Sequence, residues 1–288
     1  MELVTSTLHT RFSGRRARSV RTSWLALRLG DKLALIVFAL IIIACLIGPF
    51  FAPHDPNVPI GPPLSAPGHG ALLGTDDVGR DLFSRILYGA RLSMLGTLAV
   101  VGVGATVGTL IGLVAGAKGG WIDSVLMRVT DGFLAMPAPV LAIAVAASLG
   151  ASYFHTLLAV AIVWWPLYAR LVRGEVKAIA SRPHVEAAKM SGISERRLWF
   201  RHLFPGALPP ILIAISLDLG AVVLTVASLS FLGLGSPDPA AELGAMTARG
   251  LQYLLSSPSV ALFPALVVFV IALAANFAGD ATRNLRKD

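Results

Sequence analysis

The chain has 288 residues, 14% charged and 55% hydrophobic, with a net charge of +8 and a mean hydropathy of +0.74. Soluble domains carry about one quarter charged residues, so this composition excludes an ordinary water-soluble globule and places the chain in a bilayer. The basic excess is not a nucleic-acid footprint, because Lys and Arg flank apolar runs instead of forming a separate domain with interleaved aromatics. One cysteine, Cys45, excludes an internal disulfide and a cysteine-rich metal site.

Residues 1–32 form a basic segment that includes RFSGRRARSVRTSW, expected to be disordered or to touch anionic membrane lipid. Residues 33–53 then read as a first transmembrane anchor. Ile42-Ile43-Ala44-Cys45 resembles a lipoprotein cleavage site, but the apolar run continues to Ala52 and cleavage would leave the later spans with the wrong parity. An uncleaved anchor is expected. Residues 54–91 change character: six prolines from Pro53 to Pro67 forbid regular helix and favour an extended, polyproline-like path. The segment ends in GTDDVGRD, whose Asp76, Asp77 and Asp81 lack the alternating ligands and closing Glu of a calcium loop. A solvated turn leading into an amphipathic helix, contacting an external partner, is expected there.

Uncharged runs Leu33–Pro53, Leu92–Ala117, Gly132–Ala169 and Leu219–Pro237 are each long enough to cross a bilayer, which takes about 18 residues. The third run is too long for one helix and holds a turn signal at Leu149-Gly150-Ala151-Ser152, so it is split. Six spans result, near 33–52, 92–116, 124–149, 154–172, 209–232 and 259–279, with 92–288 as the core domain holding five of them. In the second span Gly104, Gly108, Gly112 and Gly116 recur every fourth residue and mark one close-packing face. Pro137 and Pro139 predict a break in the third span of the kind tolerated against protein or a cavity. Arg128 and Asp131, three apart, are expected to pair. Asp218 falls near the middle of the fifth span, where a carboxylate marks a site or bonds a neighbouring helix. Met136, Pro137, Asp218 and Ser228 are the candidate translocation-path residues.

Twenty basic residues fall on one set of loops and four (Arg80, Arg85, Arg91 and Arg249) on the other, which puts both termini in the cytoplasm by the positive-inside rule. Eight of the twenty lie between Arg170 and Arg201, seven of them in the loop 173–205. There Pro183 suits a first helical turn, Ser181 is placed to cap it, Gly192 suits a left-handed closure, and Ser194 can start a second short helix ending by Pro205. Ala187 and Ala188 would offer a low surface to a partner's groove, with Glu186, Lys189, Arg196 and Arg197 fixing register.

At these residues the sequence resembles the permease subunits of ATP-binding-cassette importers: Glu186-Ala187-Ala188, then Gly192, then His202-Leu203-Phe204-Pro205. LLGTDDVGRDLFSRILYGARLS (72–93), GGWIDSVLMRVTDGFLAMP (119–137), WPLYARLVRGEV (165–176), SLSFLGLG (228–235) and GDATRNLR (279–286) extend the likeness to the C-type permeases of dipeptide, oligopeptide and nickel importers. The resemblance implies an all-α membrane protein of the bacterial inner membrane, with short coupling helices between spans 4 and 5. It further implies a B-type permease partner, two cytoplasmic ATPase subunits and an external solute-binding protein. ATP and Mg would belong to the ATPase, since the chain has no glycine-rich phosphate loop ending in Gly-Lys-Ser/Thr; the chain is then no enzyme and binds no cofactor, metal or nucleic acid itself. Many C-type relatives carry Glu where this chain has Val226, and an acidic residue at Asp218 departs from the pattern. An ion-coupled secondary transporter and a non-transporting membrane scaffold are the alternatives; the first would need paired intramembrane charges and an inverted repeat. No nucleophile with a nearby base suggests a membrane enzyme.

Overall fold

A computed structural model describes residues 28–68 and 70–284. Most of the basic N-terminal segment and the last residues of the GDATRNLR match lie outside the described residues. The helices are α1 Leu29–Ile47, α2 Leu82–Lys118, α3 Gly120–Leu134, α4 Ala138–Leu149, α5 Tyr153–Ala180, α6 Pro183–Met190, α7 Glu195–Leu198, α8 Phe204–Leu229, α9 Leu243–Gly250 and α10 Ser259–Asn284. Among the described residues there is no strand beyond isolated bridges in the loop 54–81.

Five helical stretches are long and apolar enough to cross a membrane, and the α3–α4 pair makes a sixth if taken as one broken span. With that pair counted as one, the expected six spans are recovered, and several helices run beyond the expected bounds. The second begins at Leu82, not at 92: Asp81 accepts from the Ser84 N–H at 3.1 Å and caps the helix, which then runs 37 residues to Lys118. At 1.5 Å per residue it is roughly 55 Å long, well beyond a hydrocarbon core of about 30 Å. The third is bent by 87° between α3 and α4, at the break that Pro137 dictates. Asn284 Nδ2 donates to Asp31 Oδ1 at 3.2 Å, so the start of α1 and the end of α10 meet at one end of the bundle. That end also carries Lys118 and the segment 181–203, and is called the basic end below.

The glycine seam of α2 works as its spacing predicts. A Cβ at Gly112 would lie 2.5 Å from the Ala169 carbonyl and 2.8 Å from Val172 Cβ, and one at Gly116 would lie 2.9 Å from Val176 Cβ. Hydrogen in place of a side chain lets α2 and α5 touch backbone to backbone, the contact that small residues allow between membrane helices. Apolar side chains such as Leu98, Leu110, Leu224, Leu266 and Phe277 remain exposed on the outer faces, where lipid is the solvent.

The loop 54–81 is not a solvated turn. Asp76, Arg80 and Asp81 are buried, because the loop folds back on itself: Ile60 N donates to Gly79 O at 2.8 Å and Leu64 N to Asp76 O at 2.9 Å. Gly79 has φ +90°, and a Cβ there would run into the Gly61 carbonyl. Arg80 bonds Asp76 through Nε at 2.7 Å and Asp238 through Nη2 at 3.1 Å, while Arg85 Nε lies 3.2 Å from Asp76 and Arg249 Nη1 donates to Asp238 at 2.9 Å. Burial works against the charge on Arg80, but Asp238 and Asp76 hold its pKa above the ordinary value. The network joins the loop before α2 to the loop before α9.

Candidate functional site

The segment at the basic end is built by three local choices. Arg182 takes an extended conformation (φ −77°, ψ 140°), so the helical residues begin at Pro183, which needs no N–H in a first turn. Nine residues after Pro183, Gly192, at φ +73°, ends α6 in the left-handed region. Ser194 then precedes α7, and Trp199–Leu203 forms a π-helical turn leading into α8. Two expectations fail here. Ser181 does not cap α6, since its hydroxyl donates to Ala178 O at 3.1 Å. The second helix does not stop by Pro205 either: Pro205 sits in the first turn of α8, where a ring without N–H is tolerated, and helix continues from Glu195 to Leu234.

Each face of α6 has a different environment. Val185 is 0% and Ala188 8% exposed, and both pack with Val172, Val176, Ile179 and Leu203 against the ends of α5 and α8. This corrects the expectation for Ala188: only Ala187 of the alanine pair faces outward. Glu186, Ala187, Lys189, Gly192, Arg196, Arg197 and Pro205 are all exposed. Met190 at 89% and Phe200 at 67% exposure stand among them. The sequence reading missed both, although a large apolar side chain amid charges in a loop was a signal available there. Between this segment and the α2–α3 turn lies a cavity of about 520 Å³, with Lys118, Trp121, Lys189, Glu195 and Trp199 in its wall.

Polar contacts tie α3 to α5 just above. Asp123 accepts from Arg173 Nη2 at 2.8 Å and from Lys177 at 2.6 Å. Asp131 pairs with Arg170 on α5 and not with Arg128 as the three-residue spacing suggested, because the neighbouring helix presents the nearer guanidinium.

The path candidates separate into two places. Met136 and Pro137 are exposed at the α3–α4 break, and the next residue, Ala138, packs on the large apolar cluster that also holds Leu219, the sequence neighbour of Asp218. Ser228 is ten residues further along α8, roughly 15 Å away, where it lines a separate cavity of about 330 Å³ with Phe231, Gly244 and Thr247.

Residues 108–284 match the model of the binding-protein-dependent transport system inner membrane component family. The chain belongs to this family. Similar relatives include the probable D,D-dipeptide transport system permease protein DdpC of Escherichia coli, 39% identical over 87% of this chain and 84% of that protein. The glutathione transport system permease protein GsiD of Pectobacterium atrosepticum is 38% identical over 93% and 92%. The nickel transport system permease protein NikC of Escherichia coli is 36% identical over 91% and 95%. Among solved structures, the inward-facing MetNI methionine ABC transporter matches with a TM-score of 0.56 and 19% identity, covering 70% of this chain and 95% of that one, a likeness of fold. The protein is thus an ATP-binding-cassette importer permease, a multi-pass component of the bacterial inner membrane.

Proposed function

We propose that the chain is the C-type permease of an ATP-driven importer for peptides or a related small solute such as a nickel chelate. It would form the translocation path with a B-type permease, receive cargo from an external solute-binding protein, and take its driving force from two cytoplasmic ATPase subunits that hold ATP and Mg. The basic end is the cytoplasmic end in this reading, with both termini there. The observation that carries it is the two-faced α6: Val185 and Ala188 fasten it to the bundle while Glu186, Ala187, Lys189 and Met190 face away. An element anchored on one side and bare on the other is built to be pushed. A partner groove can take the low Ala187 surface with Met190 as apolar anchor, and Arg196 and Arg197 set register by charge. Because α7, the π-helical turn and α8 continue without a break, a displacement of the segment is passed along the fifth span. Met136, Pro137 and Asp218 would border the path whose access alternates.

The test is purification of the chain from its native membrane in mild detergent, alongside Glu186→Lys. Recovery of a second permease and ATPases with the parent, and loss of the ATPases alone in the variant, is expected. Recovery of neither partner, even after crosslinking through the segment, refutes the coupling role and favours the scaffold.

A further inference from the structure

The fifth span is held unevenly along its length. Among the described residues no hydrogen bond or ion pair joins Phe204–Leu229 to another helix, and the Ser216, Thr225 and Ser228 hydroxyls all donate to carbonyls of α8 itself. There α8 meets its neighbours through apolar side chains such as Ile211, Leu219 and Val222. Lipid tails are as apolar as those side chains, so such packing has no hydrophobic drive to hold one position.

Polar contact begins where the helix ends. α8 runs into a π-helical turn, Ser230–Leu234, in which Gly233 leaves the helical region at φ +85° and ψ 9°. Carbonyls at such an end lack partners in their own helix. Leu234 O is taken up by the start of α5: the buried Thr156 hydroxyl donates to it at 2.7 Å, nearer than its other acceptor, Ser152 O, at 3.1 Å, and the Ser152 N–H donates to it at 3.3 Å. Just beyond, the Ser236 N–H donates at 2.8 Å to Glu242 Oε2, on a side chain 1% exposed at the start of α9. A Cβ on Gly235 would lie 2.6 Å from that oxygen, and one on Gly244 would lie 2.4 Å from the Ala227 carbonyl, so α9 sits directly against this end of the span. α5 is fastened differently. The Tyr153 hydroxyl donates to Leu92 O of α2 at 2.7 Å, the glycine seam holds α5 to α2 along its length, and Arg173 and Lys177 bond Asp123 of α3 near the basic end. The segment 181–203 therefore joins a helix bonded at both ends to one bonded only at its far end.

We propose that the Leu234 carbonyl, held by Thr156 and Ser152, and the Glu242 carboxyl group, holding Ser236, form a fixed pivot, about which a displacement of the segment 181–203 swings α8 while α5 stays with α2. The pivot rests on the coupling reading only for the origin of the movement. Phe204 and Leu234 are thirty residues apart, roughly 45 Å of helix, and a point halfway along a lever moves half as far as its driven end. Thr156 and Glu242 are positioning residues, acting through the elements they join and not on cargo. Without them the far end would slip, and a push on the segment would translate the helix instead of tilting it.

The experiment uses the whole transporter reconstituted into bilayers, with Cys45→Ala in the parent and spin labels on cysteines placed at two pairs of exposed positions. Ala178 with Leu212 reports on the basic half, and Leu158 with Leu232 on the far end. Without nucleotide the first pair should give a broad distance distribution and the second a narrow one. A non-hydrolysable ATP analogue should shift the first and leave the second in place. Thr156→Val keeps the shape but loses the hydroxyl; it should broaden the second pair and lower transport per ATP hydrolysed about threefold, the equivalent of one ordinary interhelical hydrogen bond, while ATP hydrolysis continues. Thr156→Ser should restore both. Glu242→Leu should also broaden the second pair, and Glu242→Gln, which still accepts from Ser236, should not. Equal widths for the two pairs in the nucleotide-free parent overturn the pivot. So does a far-end shift with the analogue as large as the basic-end shift, or a second pair unchanged in both Thr156→Val and Glu242→Leu. Absence of any analogue-driven shift in the parent defeats the coupling reading alone, because the widths measured without nucleotide still decide the pivot.

Discussion

At the proline-rich end, Asp76, Arg80 and Arg85 are buried; both arginines bond Asp76, and Arg80 also bonds Asp238. At the basic end, Glu186, Lys189, Arg196 and Arg197 are exposed and enter no ion pair among the described residues. Both stretches are dense in charge and both lie in loops between spans. In the first, the charges complete the fold of a loop that hydrophobic burial alone could not organise. In the second, local Pro and Gly chemistry shapes the backbone and the charges stay on the surface, where the proposed coupling needs them.

The contrast is broken most severely by Asp76→Ala, which removes the carboxylate that the buried Arg80 and Arg85 share. Removing one partner of such a group costs about 3–5 kcal/mol, read as a lowered melting temperature of the purified protein, while folded molecules should still bind the proposed ATPase subunits. Met190→Asp should do the reverse. Loss of a central apolar anchor weakens partner affinity by about 2 kcal/mol or more, some thirtyfold in a binding titration, with thermal stability within about 0.5 kcal/mol of the parent.

A smaller effect comes with pH. Burial favours the neutral form of Asp238, but bonding to Arg80 and the field of Arg249 outweigh it and hold the pKa below the ordinary 3.8. The pair therefore contributes its full stability above that value and loses it as pH falls through the lower folded value. Acidification from pH 5 towards 3 should destabilise the parent more than Asp238→Asn, as measured by thermal unfolding across that range. The smallest effect is expected for Arg196→Ala: an exposed charge is worth about 0–1 kcal/mol, so ATPase affinity should drop by less than about fivefold, and the difference should vanish in high salt.

Spans, the Pro137 break and the glycine seam could all be read in advance, because hydropathy, a missing N–H and a four-residue spacing act locally. The inner and outer faces of α6 could not. Eight residues give too few turns to separate Ala187 from Ala188, and the choice is made by Val172, Val176 and Leu203 on other helices. GTDDVGRD looked solvated for a similar reason, since its burial depends on contacts far along the chain. Pro205 misled because proline starts a helix as readily as it stops one, and Arg128–Asp131 because spacing along one helix says nothing of Arg170 on the next. The outward Met190 and Phe200 were visible as letters but not as a surface.

Arg80 reaches Asp238 across 158 positions of sequence, which sets an order of events during synthesis. When the ribosome has delivered the loop 54–81 and the second span, one anchor of that loop does not yet exist. It emerges only after the fifth span has been threaded into the membrane. The loop 54–81 is therefore a late-closing seal on the finished molecule: in a chain that stalls before residue 238, Arg80 has Asp76 but not its second carboxylate.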